Sequence, residues 1–447
     1  MSNPMTDANV EIINELKKFI DSVAKERDKR ESYCYSPTSF VRERILTLKC
    51  TVMLIINGLK RSLQIELQDF FENCSQGLSC SKQAFCDQRA KLKPEFFHAL
   101  NQVLVSNFYR SYQGQDKRWK EMTLWAVDGS SVPLPGTEDL KKAFGGVSNE
   151  HGEQVSTTAR LCVLYDVLNN IVVKGFLHPY RVSEEEVIPK CLSGFEFKNK
   201  LLLFDRGYPS YWLIYLLIRK KAKFVMRVSS NANNAVKEFL ASEATDLTIE
   251  WRPPYASLKK LRDMRFTTVN KRTPVKIRLV KILLDTGETE VLVTNLYDTD
   301  NYTKEDLKEV YHLRWGIETC YGYIKEELQL GQFSGIRQIC IEQDFAANLF
   351  LFNLQSLIEK QTEPYLEAVG RKRKYSYKIN KNSSWASLKN RVVNLFLQED
   401  SRSVLRELEK LFGNYLEPIR PGRKYPRIKK RMPNVKYYTL TNYKRAL

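Results

Sequence analysis

Residues 311–325 read YHLRWGIETCYGYIK and lie within a helical pattern that extends from about residue 304 to residue 330. Successive side chains of a helix are about 100° apart, so a polar row forms on one side of this segment. Next to that row lies a narrow apolar stripe of Leu, Ile and Tyr. The pattern predicts one helix that buries the stripe and presents a row of polar groups beside it. Four polar side chains share an arc of about 60°, and they belong to Tyr311, Arg314, Glu318 and Lys325.

This polar row has two interpretations. Arg314 and Glu318 are four residues apart, and a surface ion pair at that spacing contributes only a few tenths of a kcal/mol. Alternatively, Arg314 and Lys325 grip phosphate oxygens, Arg with its planar fork and Lys as a point charge. Glu318 between them would then face a metal ion. The helix alone does not decide between an ion pair and a site.

Two further carboxylates favour a site. Asp128 closes the predicted strand TLWAVD (123–128) and precedes a glycine, and Asp205 closes LLLFD (201–205) two residues before a glycine. An ionisable group at the end of a buried strand faces the crevice beyond the sheet, although Asp before Gly is also a common turn pair. With Glu318 the two aspartates form a set of hard oxygen ligands that suits Mg²⁺ or Mn²⁺. Two such ions can support in-line phosphoryl transfer.

The order of the surrounding segments predicts an α/β fold with a mixed sheet. Apolar runs and alternating runs predict strands at 123–128, 159–167, 170–177, 201–205 and 223–228, with helices at 183–192 and 210–221. A β-β-β-α-β-α-β order is typical of a mixed sheet with packed helices. The residues before this unit read as α-helical, and a β-rich stretch is predicted as an insertion because a long helix resumes the pattern after Thr303.

The charge of the chain indicates a polyanionic partner. The 447 residues carry a formal net charge of +19, which is typical of nucleic-acid-binding proteins. Residues 371–447 contain 21 Lys and Arg against 5 Asp and Glu, interleaved with Tyr and Pro. Such a region can contact phosphates and stack on bases, and the alternative is a solvated tail.

Other features bear on compartment and metal content. The apolar runs are far shorter than the roughly 18 residues of a membrane span, and the N-terminus lacks the layout of a secretory signal. We therefore expect an intracellular protein without a membrane partner. The nine cysteines include no CxxC pair, which favours free thiols. Cys74, Cys80 and Cys86 raise the alternative of a zinc site, but their spacing matches no usual zinc pattern.

Residues 311–325 complete the pattern Tyr-x2-Arg-x3-Glu-x6-Lys. This YREK signature resembles that of a large family of bacterial insertion-sequence DDE transposases. Three further blocks also resemble blocks of that family, namely DGSSVPLP (128–135), DRGY (205–208) and VTNL (293–296). The resemblance implies an RNase H-like catalytic core that a β-strand insertion interrupts between the second Asp and the Glu.

The resemblance also implies roles for the site residues. Asp128, Asp205 and Glu318 would be the catalytic metal ligands and would hold two Mg²⁺ (or Mn²⁺) ions per active site. A second set would hold DNA phosphates near the cut, and it consists of Tyr311, Arg314 and Lys325.

A further role concerns base stacking. Members of the family can pass through a DNA hairpin, in which a flipped base stacks on a Trp of the insertion. Trp251, the only Trp between residues 213 and 314, is the candidate, and a core anchor is the alternative.

The expected function is that of a DNA transposase. It would bind the terminal inverted repeats of its element, cleave the ends by two-metal hydrolysis and join the 3′-OH to target DNA. The expected partners are double-stranded DNA, as element ends and target, and a second copy of the chain in a homodimer on DNA. The expected location is cytoplasmic, at the bacterial nucleoid.

Four regions are expected along the chain. They are a helical N-terminal DNA-binding domain at 1–112, an RNase H-like catalytic domain at 113–228 and 291–370, a β-rich insertion at 229–290 and a basic C-terminal region at 371–447. Two other functions remain compatible with the sequence. One is a domesticated, non-catalytic DNA-binding protein, and the other is an RNase H-like nuclease or resolvase.

Overall fold

The computed structural model describes residues 3–42, 44–74, 78–148, 154–284, 287–371 and 373–420. The predicted basic segment at 421–447 lies outside these residues. None of the helices in the described ranges combines the length and apolar character needed to cross a membrane.

Eight strands form one mixed sheet. In sheet order they run β3-β2-β1-β4-β5-β8-β7-β6. The first three strands pair antiparallel, and β4 and β5 lie parallel to β1. The strands are β1 (Thr123–Pro133), β2 (Thr158–Asp166), β3 (Ile171–Pro179), β4 (Lys200–Phe204), β5 (Lys223–Val228), β6 (Asp246–Trp251), β7 (Val275–Leu283) and β8 (Thr289–Thr294).

The first five strands have the order and directions of an RNase H-like core, which confirms the predicted fold class. β2 and β3 form a hairpin beside the long β1, whereas β4 and β5 follow helical crossovers, as parallel pairing requires. The insertion continues the same sheet, because β8 pairs antiparallel with β5, and β7 and β6 follow antiparallel beyond it. It also contains two short helices that the sequence pattern had not predicted.

Helices precede the sheet, cover both of its faces and follow it. The N-terminal ones are α1 (Pro4–Lys25), α2 (Arg27–Tyr33), α3 (Leu48–Ile56), α4 (Leu63–Cys74), α5 (Lys82–Arg89) and α6 (Glu95–Ser111). Those between the strands are α7 (Glu138–Phe144), α8 (Glu184–Cys191), α9 (Tyr211–Arg219), α10 (Asn234–Ala241) and α11 (Tyr255–Asp263). Those after β8 are α12 (Lys304–Leu313), α13 (Gly316–Gly322), α14 (Gln338–Gly370), α15 (Lys381–Lys389), α16 (Val392–Leu397) and α17 (Ser401–Asn414). A small hairpin joins β9 (Tyr377–Ile379) and β10 (Leu416–Pro418).

The 33-residue helix α14 is the centre of the helical part. It packs against α1, α3 and α6 from the N-terminal region, against β3, and against α17 from the C-terminal region. Polar contacts join the same elements, since Arg89 on α5 is buried and pairs with Asp344 at 3.0 Å. Asn9 on α1 likewise donates to Gln361 Oε1 at 2.9 Å. Helices from the N-terminal and C-terminal parts of the described residues therefore pack against one helix.

Alternation along the central strands separates two apolar layers. Trp125 and Val127 of β1 belong to the layer that also contains α8 and α9 residues, whereas Leu124 and Ala126 face α12 and α13. Because side chains alternate between faces along a strand, the residues that follow Val127 continue this pattern. This alternation determines which helices the acidic residues meet.

Candidate active site

The two aspartates lie where two neighbouring parallel strands part. The pairing of β1 with β4 ends at Val127 and Phe204, so Asp128 and Asp205 are the next residues on the two strands. The prediction that β1 ends at Asp128 was wrong, because pairing with β2 continues to Pro133. Only the hydrogen bonding of β1 to β4 ends before Asp128. The gap between the two strands opens the crevice into which both carboxylates project.

Both aspartates are on the sheet face that α12 and α13 cover. Alternation places them on the side of Ala126 and Leu203, whose layer includes Tyr311. Hydrogen bonds agree with this placement, since Tyr311 Oη donates to Asp205 Oδ1 at 3.3 Å. Tyr321 Oη donates to the main-chain oxygen of Asp128 at 2.6 Å. The YREK segment therefore packs directly over the ends of β1 and β4.

The predicted single helix from 304 to 330 was wrong in one respect, because the structure divides it. Between α12 and α13 the amides of Arg314 and Trp315 bind carbonyls three residues earlier, a tighter turn than the α-helix. Gly316 permits this junction, since a Cβ there would lie 2.8 Å from Val167 Cγ1. A π-helical turn, Tyr323–Glu327, follows α13, and such turns are frequent at functional sites. A uniform 3.6-residue wheel therefore does not describe the polar row.

Arg314 connects the carboxylates. Its side chain is buried, with 3% of the residue exposed. Nη2 donates to Glu318 Oε1 at 2.8 Å and lies 4.0 Å from Asp205 Oδ1. Its Nε is buried without a hydrogen-bond partner among the described residues. The structure thus brings Asp205 and Glu318 together around one guanidinium. The charge of that guanidinium also interacts with Asp128.

The electrostatic environment of Asp128 is unusual. Burial raises the pKa of its carboxyl to about 7, and the negative charges of Glu184 and Asp205 act in the same direction. The Gly129 amide, which donates to Asp128 Oδ1 at 2.9 Å, and the charge of Arg314 lower that pKa. A partly desolvated carboxylate that is repelled by its neighbours binds a cation readily.

Lys325 lies at the end of the same segment. Its Nζ donates to Ser130 Oγ at 2.5 Å, two residues beyond Asp128 on β1. Burial lowers the pKa of the Lys325 ammonium group. The structure therefore brings Lys325 to the strand that carries Asp128.

Trp251 is not brought to this site. It ends β6, which lies five strands from β1, roughly 24 Å at about 4.8 Å per strand. Three antiparallel pairings separate β6 from β5, so the carboxyl end of β6 points away from those of β1 and β4. The ring packs edge-to-face on Tyr211, with centroids 6.1 Å apart, in the layer opposite α12 and α13. Its base-stacking role stays a prediction.

The sequence pattern missed Glu184, which opens α8. A Cβ on Gly129 would lie 2.3 Å from Glu184 Cδ, so this carboxylate lies against the backbone beside Asp128 on the other face of β1. It pairs with Arg160 at 3.1 Å and accepts a hydrogen bond from Tyr208 Oη at 3.3 Å. Tyr208 belongs to the DRGY block, which was the one signal that pointed to this neighbourhood.

The donor set fits a divalent cation in chemistry. It consists of carboxylate oxygens that crowd one another near the end of a sheet, which are the ligands of Mg²⁺ and Mn²⁺. As the side chains stand, the described residues contain no group of three His, Cys, Asp or Glu that could hold a metal ion. That search also gives no support to zinc at Cys74, Cys80 and Cys86, and all nine cysteines are free. Glu318 would have to exchange Arg314 for the cation.

Comparisons with known proteins place the chain in a family. It is similar to a solved piggyBac transposase in a synaptic complex with hairpin DNA, at 12% sequence identity and a TM-score of 0.41, over 96% of this chain and 88% of that chain. No curated protein matches the chain. The family described as "Transposase DDE domain" matches residues 119–354, more than half of the chain and the stretch that carries all three carboxylates. The chain therefore belongs to the transposase DDE domain family.

Proposed function

We propose that this transposase binds the terminal inverted repeats of its element, cleaves the ends by hydrolysis that depends on Mg²⁺ or Mn²⁺, and joins the 3′-OH to target DNA. One observation carries the proposal. Asp128 and Asp205 follow the last paired residues of two neighbouring parallel strands. From the segment that covers them, Arg314 pairs with Glu318 and lies 4.0 Å from Asp205. The proposed place of action is the bacterial nucleoid.

The roles proposed for the acidic residues follow from this geometry. Asp128, Asp205 and Glu318 would hold the cations, and two bound cations would activate the attacking oxygen and stabilise the leaving one. Tyr311 orients the Asp205 carboxylate through its hydroxyl, and Tyr321 holds the main chain at Asp128. Both tyrosines thereby position the ligands, and the DNA phosphate contact predicted for Tyr311 stays a prediction.

The proposed DNA contacts begin beside these ligands. Lys325 is aligned with β1 through Ser130, so its ammonium can reach a phosphate that approaches the end of that strand. Arg314 has the planar fork that matches two phosphate oxygens. Trp315, next to Arg314 in the helix junction, has 46% of its surface exposed. It therefore offers an aromatic face nearer to the carboxylates than Trp251 and competes with it for the base-stacking role.

A basic groove extends the proposed DNA path. The groove has a volume of about 870 Å³ and runs between residues 168–170, Thr319, Arg371 and residues 373–379. Arg373 lies over the ring of Tyr377 at 4.9 Å, and Lys374 lies over that of Tyr375 at 5.5 Å. Among the residues that the structure describes, ion pairs are formed by Lys378 and Lys381 but not by Arg373 or Lys374. Thr319, which follows Glu318 in the sequence, is one of the residues that line the groove.

The proposed catalytic role is tested by cleavage of DNA that carries the element ends. Asp205→Ala is expected to abolish metal-dependent cleavage and to leave binding of the ends intact, whereas the exposed Asp300→Asn serves as the matched control. Cleavage by Asp205→Ala at the wild-type rate would refute the assignment. Products distinguish the alternatives, because strand-transfer products support a transposase and nicks alone support a nuclease or resolvase. Binding without any product supports a non-catalytic DNA-binding protein.

The proposed groove is tested by salt dependence. Each phosphate contact contributes about −0.9 to the slope of log K against log salt on duplex DNA. The double variant of Arg373→Gln and Lys374→Gln should therefore flatten the slope by up to about 1.8, and Lys29→Gln on α2 should leave it unchanged. An unaltered slope in the double variant would exclude the groove from the DNA path.

A homodimer on DNA is also proposed, because two element ends must be held together for joining. Light scattering of the protein with and without an end-containing duplex tests it. A mass that corresponds to one chain per complex would contradict it.

A further inference from the structure

Glu318, the proposed third metal ligand, has a partner already. Arg314 Nη2 donates to its Oε1 at 2.8 Å, and the Arg314 guanidinium is buried. The same nitrogen lies 4.0 Å from Asp205 Oδ1, and the charge of Arg314 also acts on Asp128. One guanidinium therefore pairs with Glu318, lies near Asp205 and acts electrostatically on Asp128.

The position of Arg314 leaves part of its hydrogen-bonding capacity unused. Its Nε is buried and has no partner in the described part of the chain. The guanidinium lies 5.8 Å from the ring of Tyr311 and 5.3 Å from that of Trp315. A buried donor without an acceptor is unfavourable, so an arrangement that gives Arg314 a bidentate acceptor would satisfy it better.

We propose that Arg314 is the exchangeable counter-cation of the three carboxylates, and that its guanidinium leaves Glu318 for a DNA phosphate when a divalent cation binds there. This inference rests on the proposed function. Carboxylate and phosphate present similar pairs of oxygens to the Arg fork, so the exchange conserves the contacts of Arg314. The freed Glu318 oxygen becomes available to the cation.

The exchange couples metal binding to DNA binding. If the cation and Arg314 compete for Glu318, the cation releases Arg314 to the phosphate, and a phosphate that holds Arg314 releases Glu318 to the cation. Linkage requires that each then strengthens the binding of the other by the same factor. If the guanidinium remained bound to Glu318, the cation and DNA would not strengthen each other's binding through Arg314.

Titration of the EDTA-treated full-length protein with Mg²⁺ tests the competition. Arg314→Gln is expected to bind Mg²⁺ about tenfold more tightly than the wild type, the equivalent of about 1.4 kcal/mol. Arg227→Gln is the matched control, because Arg227 acts electrostatically on Tyr311 but pairs with Glu290 at 2.7 Å, outside the set. It should change the affinity less than twofold. Arg314→Met, which keeps an unbranched side chain in the buried position, serves if Arg314→Gln melts early.

The fluorescence of Trp315 should report the departure of the Arg314 guanidinium from Glu318. Mg²⁺ should change the tryptophan emission of the wild type, because the guanidinium beside this half-exposed ring departs. The change should vanish in Trp315→Phe and in Arg314→Gln. With Ca²⁺ replacing Mg²⁺ to prevent cleavage, the cation should strengthen binding to an end-containing duplex about tenfold in the wild type and not in Arg314→Gln.

The outcomes separate this inference from the proposed function. Unchanged or weaker Mg²⁺ binding by Arg314→Gln and Arg314→Met, with the wild type binding Mg²⁺ at Asp205, would overturn the exchange alone. In that case Arg314 would be a fixed positioning residue for Glu318. Mg²⁺ binding that survives Asp205→Asn unchanged would overturn the metal site itself and the exchange with it.

Discussion

Replacement of Asp128 by Asn should stabilise the protein at neutral pH while it removes a proposed metal ligand. Asn has the shape of Asp and can still accept the hydrogen bond of the Gly129 amide, but it carries no charge. The pKa of Asp128 is raised from 3.8 to about 7, chiefly by burial. The native state therefore binds more protons than the unfolded chain between these two values, and its stability falls as pH rises through that window.

The size of the stability difference between the two proteins follows from the pKa shift of Asp128. About 3 pKa units correspond to about 4 kcal/mol at 1.36 kcal/mol per unit. Asp128 is only partly buried, so solvent screening reduces this value, and we expect on the order of 2 kcal/mol. Asp128→Asn should thus equal the wild type near pH 4 and exceed it by about 2 kcal/mol at pH 8.

Urea unfolding in EDTA at pH 4, 6 and 8 measures this difference, with Asp300→Asn, an exposed aspartate, as the control. Addition of Mg²⁺ at pH 8 should stabilise the wild type more than Asp128→Asn, because the variant has lost one of the three proposed carboxylate ligands. Parallel pH profiles for the wild type and Asp128→Asn would refute the argument. So would equal stabilisation of both proteins by Mg²⁺.

Three other changes give expected outcomes. Lys325→Ala should weaken binding of element-end duplexes and flatten its salt slope by about 0.9, and a filter-binding series in KCl that shows an unchanged slope would exclude a phosphate contact. Gly129→Ala should destabilise the protein by about 1 to 3 kcal/mol because its Cβ meets Glu184, and the added change Glu184→Ala should recover most of that loss in urea unfolding. Trp315→Ala should cost about 1 to 3 kcal/mol in binding to a duplex end with an unpaired base, whereas Trp251→Ala should lower thermal stability only; the reverse result would return the stacking role to Trp251.

The positions of Asp128 and Asp205 were predictable because they depend on local sequence. Each follows a short apolar run that favours a buried strand, and an ionisable residue at the end of such a run is expected at an opening of the sheet. The continuation of β1 to Pro133 was not predictable in this way. Its residues after Asp128 are mostly Gly and Ser, which favour strands weakly, and pairing with β2 holds them extended.

The neighbourhood of Glu318 was predicted only in part. A wheel with a uniform period finds Arg314 and Glu318 on one side, but it cannot predict the close approach of Val167 to Gly316 or the tight turn just before it. Glu184 was missed because its approach to Asp128 depends on the missing Cβ of Gly129, which is far from it in sequence. Contacts between distant segments, rather than local preference, decide these details.

The packing of α14 also has a consequence during synthesis. Asn9 and Tyr112, near the two ends of the N-terminal helical region, hydrogen-bond to each other, and Asn9 also binds Gln361 on α14. About 250 residues separate Tyr112 from Gln361, and their translation takes roughly 12 to 50 s at about 5 to 20 residues per second. During that interval the apolar faces of α1, α3 and α6 have left the ribosome without the helix that covers them. The nascent transposase is therefore expected to need a chaperone over this interval, and residues 1–112 expressed alone are expected to aggregate.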